Sequence, residues 1–244
     1  MVTRMIIILT LVSFEAAFSS DLKDKFNDIT ESIEKERKTY NIPSIVVGIT
    51  HSDSIVYLRS FGEGEIDDLY LIGSNSKSFT ALAILILEQK GLLSIEEPVI
   101  EYLTWFSYRN QESSDDVTIK DLLNHTSGIQ RKYGMYEPPG NGNAIELYAQ
   151  LLSKVDAVTT GSHYEYSNLN YQLLGLIIEK VSGMTYPEFI MEGIAVPLGL
   201  KNTFASQDQI DQYGLIKNYQ YLLYFPLIKR SKPINDHTVP SGFI

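Results

Sequence analysis

The chain has 244 residues, 44% apolar and 20% charged, the proportions of a globular protein rather than a disordered or fibrous one. Its net charge of −10 repels a phosphate backbone and no basic cluster breaks that trend, which argues against a nucleic-acid partner. The length allows one large domain or two interleaved lobes, and the lack of cysteine fits an exported protein that does not depend on disulfides.

At the N-terminus, Arg4 precedes the apolar stretch Met5–Phe14, and Ala17 and Ser19 supply small residues at the −3 and −1 positions of a cleavage site. That layout predicts a secretory signal peptide over residues 1–19 and a secreted or envelope-associated protein, with peripheral membrane or cell-wall association open. The stretch ends at Glu15, short of the about 20 residues a bilayer span needs. Leu22, Phe26, Ile29 and Ile33 then recur at helical spacing, predicting an amphipathic helix to Tyr40. Ile42–Ile49 and Ile55–Leu58 read as strands joined by the turn Ser52-Asp53-Ser54, a hairpin ended by Gly62-Glu63-Gly64. Two strands do not make a stable sheet, so partners are expected from later sequence.

From Ser74 the pattern is mainly helical. Phe79–Leu87 is apolar on every side and reads as a helix buried all round, with Gly91 as a left-handed stop. Thr118 and Asp121 resemble a capping box opening a short helix through Leu123, and Asn124–Gly128 is a turn. Tyr136–Gly142 is a loop, and a helix covers Ala144–Leu152. Asn168 is placed to cap a helix carrying Leu173, Leu174, Ile177, Ile178 and Val181, with Gly183 as its stop. Pro187 suits the first turn of a helix through Ile194. A hairpin followed by a long helical stretch gives an α+β class, divided as 20–62 (helix and hairpin), 63–204 (helical lobe) and 205–244 (return segment).

Chemistry gathers at Ser74 and Lys77. Three apart on a helical turn, they share a face, so the amine can reach the hydroxyl. A hydroxyl at a helix N-terminus feels the positive end of the dipole, and a desolvated amine can act as a base near neutral pH. Ser20/Lys23 and Ser32/Lys35 share the spacing but lie in polar, charged sequence, whereas Leu71-Ile72-Gly73 leads Ser74 out of an apolar approach with a permissive glycine. The bland alternative is a buried helix with a serine cap and a surface lysine. Tyr166-Ser167-Asn168 forms a second cluster before an apolar helix. Beside a deprotonated lysine the phenol could serve as acid or base, and the amide offers a donor and an acceptor. On these residues alone a packed tyrosine beside a helix cap is the simpler reading, and Tyr108-Arg109-Asn110 matches the pattern too.

In order along the chain, Ile72-Gly73-Ser74-Asn75-Ser76-Lys77-Ser78-Phe79-Thr80, Gly91–Val99 and Leu122-Leu123-Asn124-His125-Thr126-Ser127-Gly128 are followed by Tyr166-Ser167-Asn168, Leu173-Leu174-Gly175 and Pro197–Leu200. This series resembles the penicillin-recognising serine hydrolases, which include class C β-lactamases, D-alanyl-D-alanine carboxypeptidases, penicillin-binding proteins and related esterases. The resemblance covers roughly 42–244. It implies a β-lactamase/transpeptidase-like fold, an antiparallel sheet flanked by helices plus a helical lobe. It also implies an acyl-enzyme on Ser74, Lys77 as proton acceptor, Tyr166 as proton shuttle and Asn168 as a substrate-binding residue. No metal or organic cofactor is implied, and His125 belongs to a turn supporting the site. The substrate would be a β-lactam, a D-alanyl peptide or an ester.

The family's third element, a Lys-Thr-Gly or His-x-Gly strand supplying the other oxyanion N–H, has no match: His237-Thr238-Val239 lacks the glycine. Pro240–Ile244 resembles the segment that normally precedes that strand. The expectation is a C-terminally truncated chain with an incomplete sheet, an exposed hairpin edge, poor solubility and slow acyl transfer. The alternative function is a non-catalytic penicillin- or peptidoglycan-binding remnant. Thr160 before Gly161 stands where the family has proline.

Overall fold

Leu22, Phe26, Ile29 and Ile33 share one face of the first helix, α1 (22–39), as their spacing predicts. In the computed structural model the described residues are 22–110, 112–135, 144–156, 161, 163–210, 218–222, 225–229 and 239–242. The signal-peptide reading over 1–19, the loop Tyr136–Gly142, Thr160 and His237-Thr238 lie outside them. The chain divides into two compact units, Met1–Asp68 with Ile216–Ser231, and Leu69–Leu215 with Lys232–Ile244.

In the first unit, α1 packs on an antiparallel hairpin of β1 (Ser44–His51) and β2 (Ser54–Gly62), with a register shift between Ile49 and Thr50. Alternation sends Tyr57 and Phe61 to one face of β2, where both are buried. The Tyr57 ring lies 5.3 Å from Phe26 of α1, and its hydroxyl is 2.9 Å from Thr30 Oγ1. Arg37 grips Glu34 through two 2.8 Å bonds and donates to the Ile42 carbonyl at 3.1 Å, tying the end of α1 to the start of β1.

A second ribbon pairs β3 (Asn218–Leu222) with β4 (Phe225–Lys229). Little in the sequence announces this ribbon within the return segment: its connection, Leu223-Tyr224, contains none of the usual turn residues, and proline is rare inside strands. In a two-stranded ribbon every strand is an edge, so Pro226 is tolerated opposite Tyr221. Among the described residues β1–β2 and β3–β4 remain separate two-stranded sheets.

The second unit is helical. A 3₁₀ turn over Gly73–Asn75 runs into α2 (Ser76–Gln89). Thr80, Ala83, Ile84 and Leu87 are buried against the later helices, but Leu82 and Leu85 are 40% and 47% exposed. The expected all-round burial is therefore corrected: an apolar surface is covered only where a neighbour lies, and α2 has its neighbours on one side. Gly91 adopts φ +67° just past its end, as read from sequence.

Next come α3 (Glu112–Asp115), α4 (Ile119–Asn124) and α5 (Ala144–Leu152). The capping box opens α4 as expected, Thr118 and Asp121 each receiving the other's backbone N–H. The central helix is α6 (Asn168–Ser182), whose Leu169, Leu173, Leu174, Ile177 and Ile178 are fully buried. Gly183 closes it at φ +71°. Its N-cap is Ser167, so Asn168 is its first helical residue and not the cap expected from sequence.

Pro187 does sit in the first turn of α7 (Tyr186–Ile190), behind a capping box of Thr185 and Glu188. The helix expected to run through Ile194 loosens into a π turn over Met191–Ala195. Two short helices follow, α8 (Gln207–Ile210) and α9 (Val239–Gly242). The latter packs on α2 and α6, where the Thr80 hydroxyl donates to the Pro240 carbonyl at 2.8 Å and meets the Tyr186 hydroxyl at 2.8 Å. Among the described residues no helix is long and apolar enough to cross a membrane.

Because α6 is the hub of this unit, Leu174→Ala is expected to cost about 2–5 kcal/mol, the range for truncating a fully buried leucine. A urea titration followed by circular dichroism should show an earlier midpoint at unchanged slope.

Candidate active site

Ser74 stands exposed on the 3₁₀ turn, reached through Gly73, whose φ of +54° lies in the left-handed region that glycine enters at least cost. One turn later Lys77 points inward and is only 8% exposed. The surface lysine of the bland alternative is not what the fold builds. Across from them, the entry into α6 brings up Tyr166 and Asn168. The Ser74 Oγ lies 2.8 Å from the Tyr166 hydroxyl, a contact between residues 92 positions apart. Lys77 Nζ donates to Asn168 Oδ1 at 2.9 Å and reaches Ser74 Oγ at 3.4 Å. The four residues singled out in the sequence converge on one point.

As the first helical residue behind the Ser167 cap, Asn168 turns its oxygen to the lysine. That leaves the Nδ2 donor for another partner. The ammonium also lies 5.0 Å from the Tyr166 ring centre and 5.5 Å from that of Tyr171, a residue the sequence reading passed over. The available signal was its place three residues after Asn168, one helical turn along the same side.

Two opposing effects set the charge of this cluster. Burial holds the Lys77 pKa below the ordinary lysine value, partly offset by its hydrogen bond and attraction to Tyr166. Burial alone would raise the Tyr166 pKa, but hydrogen bonds to Lys77 and Ser74 and the charges of Lys77 and Arg131 bring it below the ordinary tyrosine value. A lysine easier to deprotonate thus faces a phenol easier to ionise, and both touch one serine hydroxyl. Such a group can pass a proton between the three side chains.

Gly134, in the 3₁₀ turn Arg131–Met135, supports Asn168 from behind. A Cβ at this position would lie 2.5 Å from the Asn168 nitrogen and 2.8 Å from that of Leu169, backbone atoms that cannot swing aside. Gly134→Ala is expected to cost about 1–3 kcal/mol by forcing the first turn of α6 outward, measurable as a lowered urea midpoint. An unchanged midpoint would mean that the turn gives way at no cost.

His125 ends α4 in the left-handed conformation, φ 58°, and its ring lies 4.6 Å from that of Tyr166. The expected supporting turn is there. Burial, and then the charge of Lys77, push its pKa down to about 4. An unfolded chain takes up this proton below about pH 6.5, while the fold resists it until about pH 4. Stability therefore falls with acidification across that window, by on the order of 2–3 kcal/mol once screening is allowed for. The gap between urea stabilities at pH 7 and pH 4 should shrink by about that amount in His125→Asn; an equal gap would remove His125 as its source.

A family model described as Beta-lactamase matches residues 29–221. Penicillin-binding protein 4* of Bacillus subtilis is 35% identical over a stretch covering 66% of this chain and 38% of that protein. The octameric penicillin-binding protein homologue from Pyrococcus abyssi superposes with a TM-score of 0.76 at 26% identity, covering 89% of this chain and 52% of that one. A class C beta-lactamase shares the fold, with a TM-score of 0.73 at 24% identity, covering 91% of this chain and 60% of that one. The chain spans about half the length of these relatives. With most of its length matched by the family model and the fold repeated in these structures, the chain belongs to the beta-lactamase family, the serine hydrolases and penicillin-binding proteins of α+β, β-lactamase/transpeptidase-like fold.

Proposed function

We propose that Ser74 is the nucleophile of an acyl-transfer reaction on a β-lactam, a D-alanyl peptide or an ester. The observation that carries this reading is the Ser74 hydroxyl held 2.8 Å from the Tyr166 oxygen and 3.4 Å from the Lys77 nitrogen. The first is already a full hydrogen bond, and the second is of the length that commonly shortens in a substrate complex. Neutral Lys77 accepts the hydroxyl proton as Ser74 Oγ bonds to the substrate carbonyl carbon. The carbon–nitrogen or carbon–oxygen bond then breaks, and the proton travels through Tyr166 to the leaving atom. In the second half a water molecule attacks the carbonyl of the acyl-enzyme as it gives one proton to the Tyr166–Lys77 pair, and that proton passes on to Ser74 Oγ as the carbon–Oγ bond breaks, releasing the acid and restoring Ser74 Oγ–H.

Asn168, with its oxygen on Lys77, turns its amide hydrogens toward a substrate carbonyl. The Ser74 backbone N–H serves as an oxyanion donor, a contact worth about 2.7–4 kcal/mol in the transition state. Export to the cell surface or medium, read from Arg4 and the apolar stretch after it, belongs to the same proposal.

The test is to incubate the chain with a fluorescent penicillin and, separately, with a p-nitrophenyl ester, and to follow label and chromophore over time. A label that persists gives a penicillin-binding protein, one that forms and clears gives a β-lactamase, and ester turnover alone gives an esterase. No reaction with either reagent would overturn the proposal.

A further inference from the structure

We propose that His125 is a positioning residue for Tyr166, acting as a neutral imidazole protonated on Nε2. It receives the backbone N–H groups on both sides of the tyrosine. The Glu165 N–H donates to the His125 carbonyl at 2.8 Å, and the Ser167 N–H donates to its Nδ1 at 3.2 Å. Tyr166 is the residue between. Its ring lies against the imidazole at 4.6 Å, so one side chain and one carbonyl fix both the backbone and the ring plane of the residue that meets Ser74. The proposal rests on the acyl-transfer reading for why that placement matters.

The tautomer follows from the donors. A backbone N–H can only donate, so Nδ1 must offer its lone pair to Ser167. A second group approaches the same nitrogen, the amide of Asn170 at 3.1 Å. Because Nδ1 is an acceptor, that amide presents its NH₂ to His125, and its Oδ1 accepts from the Ser127 hydroxyl at 2.8 Å. Ser127 is free to donate because its oxygen accepts from the Ile129 N–H at 3.2 Å. Ser127 and Asn170 are fully buried and His125 is 7% exposed, so the chain of bonds cannot trade its partners for bulk water.

The histidine is itself anchored. The Thr126 N–H and hydroxyl both bond to Asp121, at the backbone carbonyl and Oδ1, and Asp121 is the acid of the capping box that opens α4. From Thr118 to Tyr166, local backbone chemistry thus leads to the phenol. A proton on Nδ1 would turn an acceptor into a donor facing two donors, releasing Ser167 and with it the grip on Tyr166.

Three variants and two spectra test this without relying on any acylation. In the parent protein, ¹⁵N spectra of the histidine rings, assigned with His125→Asn, should show His125 at pH 7 with a bare Nδ1 and a protonated Nε2. A protonated Nδ1 would overturn the proposal, whatever the variants do. In protein labelled with ¹³Cζ-tyrosine, assigned with Tyr166→Phe, Tyr166 should titrate below the ordinary tyrosine range. His125→Asn keeps an oxygen acceptor near the Nδ1 position and tolerates the left-handed backbone, so it should retain that behaviour. His125→Leu removes the acceptor, and the Tyr166 titration should return to the ordinary range as the phenol leaves Lys77. A folded His125→Leu with an unchanged Tyr166 titration would overturn the proposal. Should that variant fail to fold, the parent's tautomer still decides. Failure of these spectra would remove the role of His125 alone, whereas failure of the penicillin and ester reactions would remove the acyl-transfer reading.

Discussion

Ser74→Ala is expected to abolish covalent labelling by penicillin, lowering the rate by about 10⁴-fold or more while leaving the fold intact. The size follows from what is lost. Ser74 Oγ is the hydroxyl that both Lys77 and Tyr166 reach, and removing the nucleophile of a group that acts as a unit costs about as much as removing the whole group. Stability should barely move, since Ser74 is exposed on a turn and loses only its hydroxyl contacts to Tyr166 and Lys77, which water can replace on the exposed side. A shift within about 0.5 kcal/mol is the expectation for such a surface change. Gel fluorescence after penicillin labelling, beside a urea titration, reads both quantities. Labelling that survives the substitution would remove Ser74 from the chemistry.

Lys77→Met should lower the acylation rate by about 10²–10⁴-fold, the range for losing a general base. Methionine keeps the length and apolar stem of lysine, so the loss reports the amine and not a cavity. The parent's pH profile carries the sharper test. Only the neutral amine accepts a proton, so the rate rises with pH through the lysine's titration. Burial holds that pKa below the ordinary lysine value, so the rise begins at lower pH than an exposed lysine would give. Lys77 and Tyr166 share hydrogen bonds and charge, so the inflections belong to the pair. In Lys77→Met the inflection assigned to the amine should vanish. A variant with the parent's profile would place the base elsewhere.

Much of this site was legible in the sequence because its parts are local. A serine three residues from a lysine at the start of an apolar helix, and Tyr166-Ser167-Asn168 before another, are short-range patterns with direct physical meaning. The helix stops at Gly91 and Gly183 and the capping box at Thr118 were legible for the same reason. What stayed hidden depends on partners. Asn168 has the composition of a cap, but an amine from a distant helix claims its oxygen. Leu82 and Leu85 look like core residues, yet burial is a property of the neighbour and not of the side chain. The ribbon of β3 and β4 lacks the turn residues that announce a hairpin, and Pro226 masks one of its strands. For His125, the neighbouring histidine-threonine-serine turn was visible, but its tautomer is written by a backbone N–H some forty positions away.

The most direct measurement is rapid acid quench of the chain with benzylpenicillin, followed by intact-mass analysis and peptide mapping. A β-lactam opens without a leaving group, so an acyl-enzyme gains the whole mass of one penicillin, and the expected adduct lies on the peptide carrying Ser74. An adduct on Lys77, Tyr166 or any other residue, or no acyl adduct on Ser74 at any quench time with either saturating penicillin or a p-nitrophenyl ester, would contradict Ser74 as a nucleophile activated by Lys77 and Tyr166.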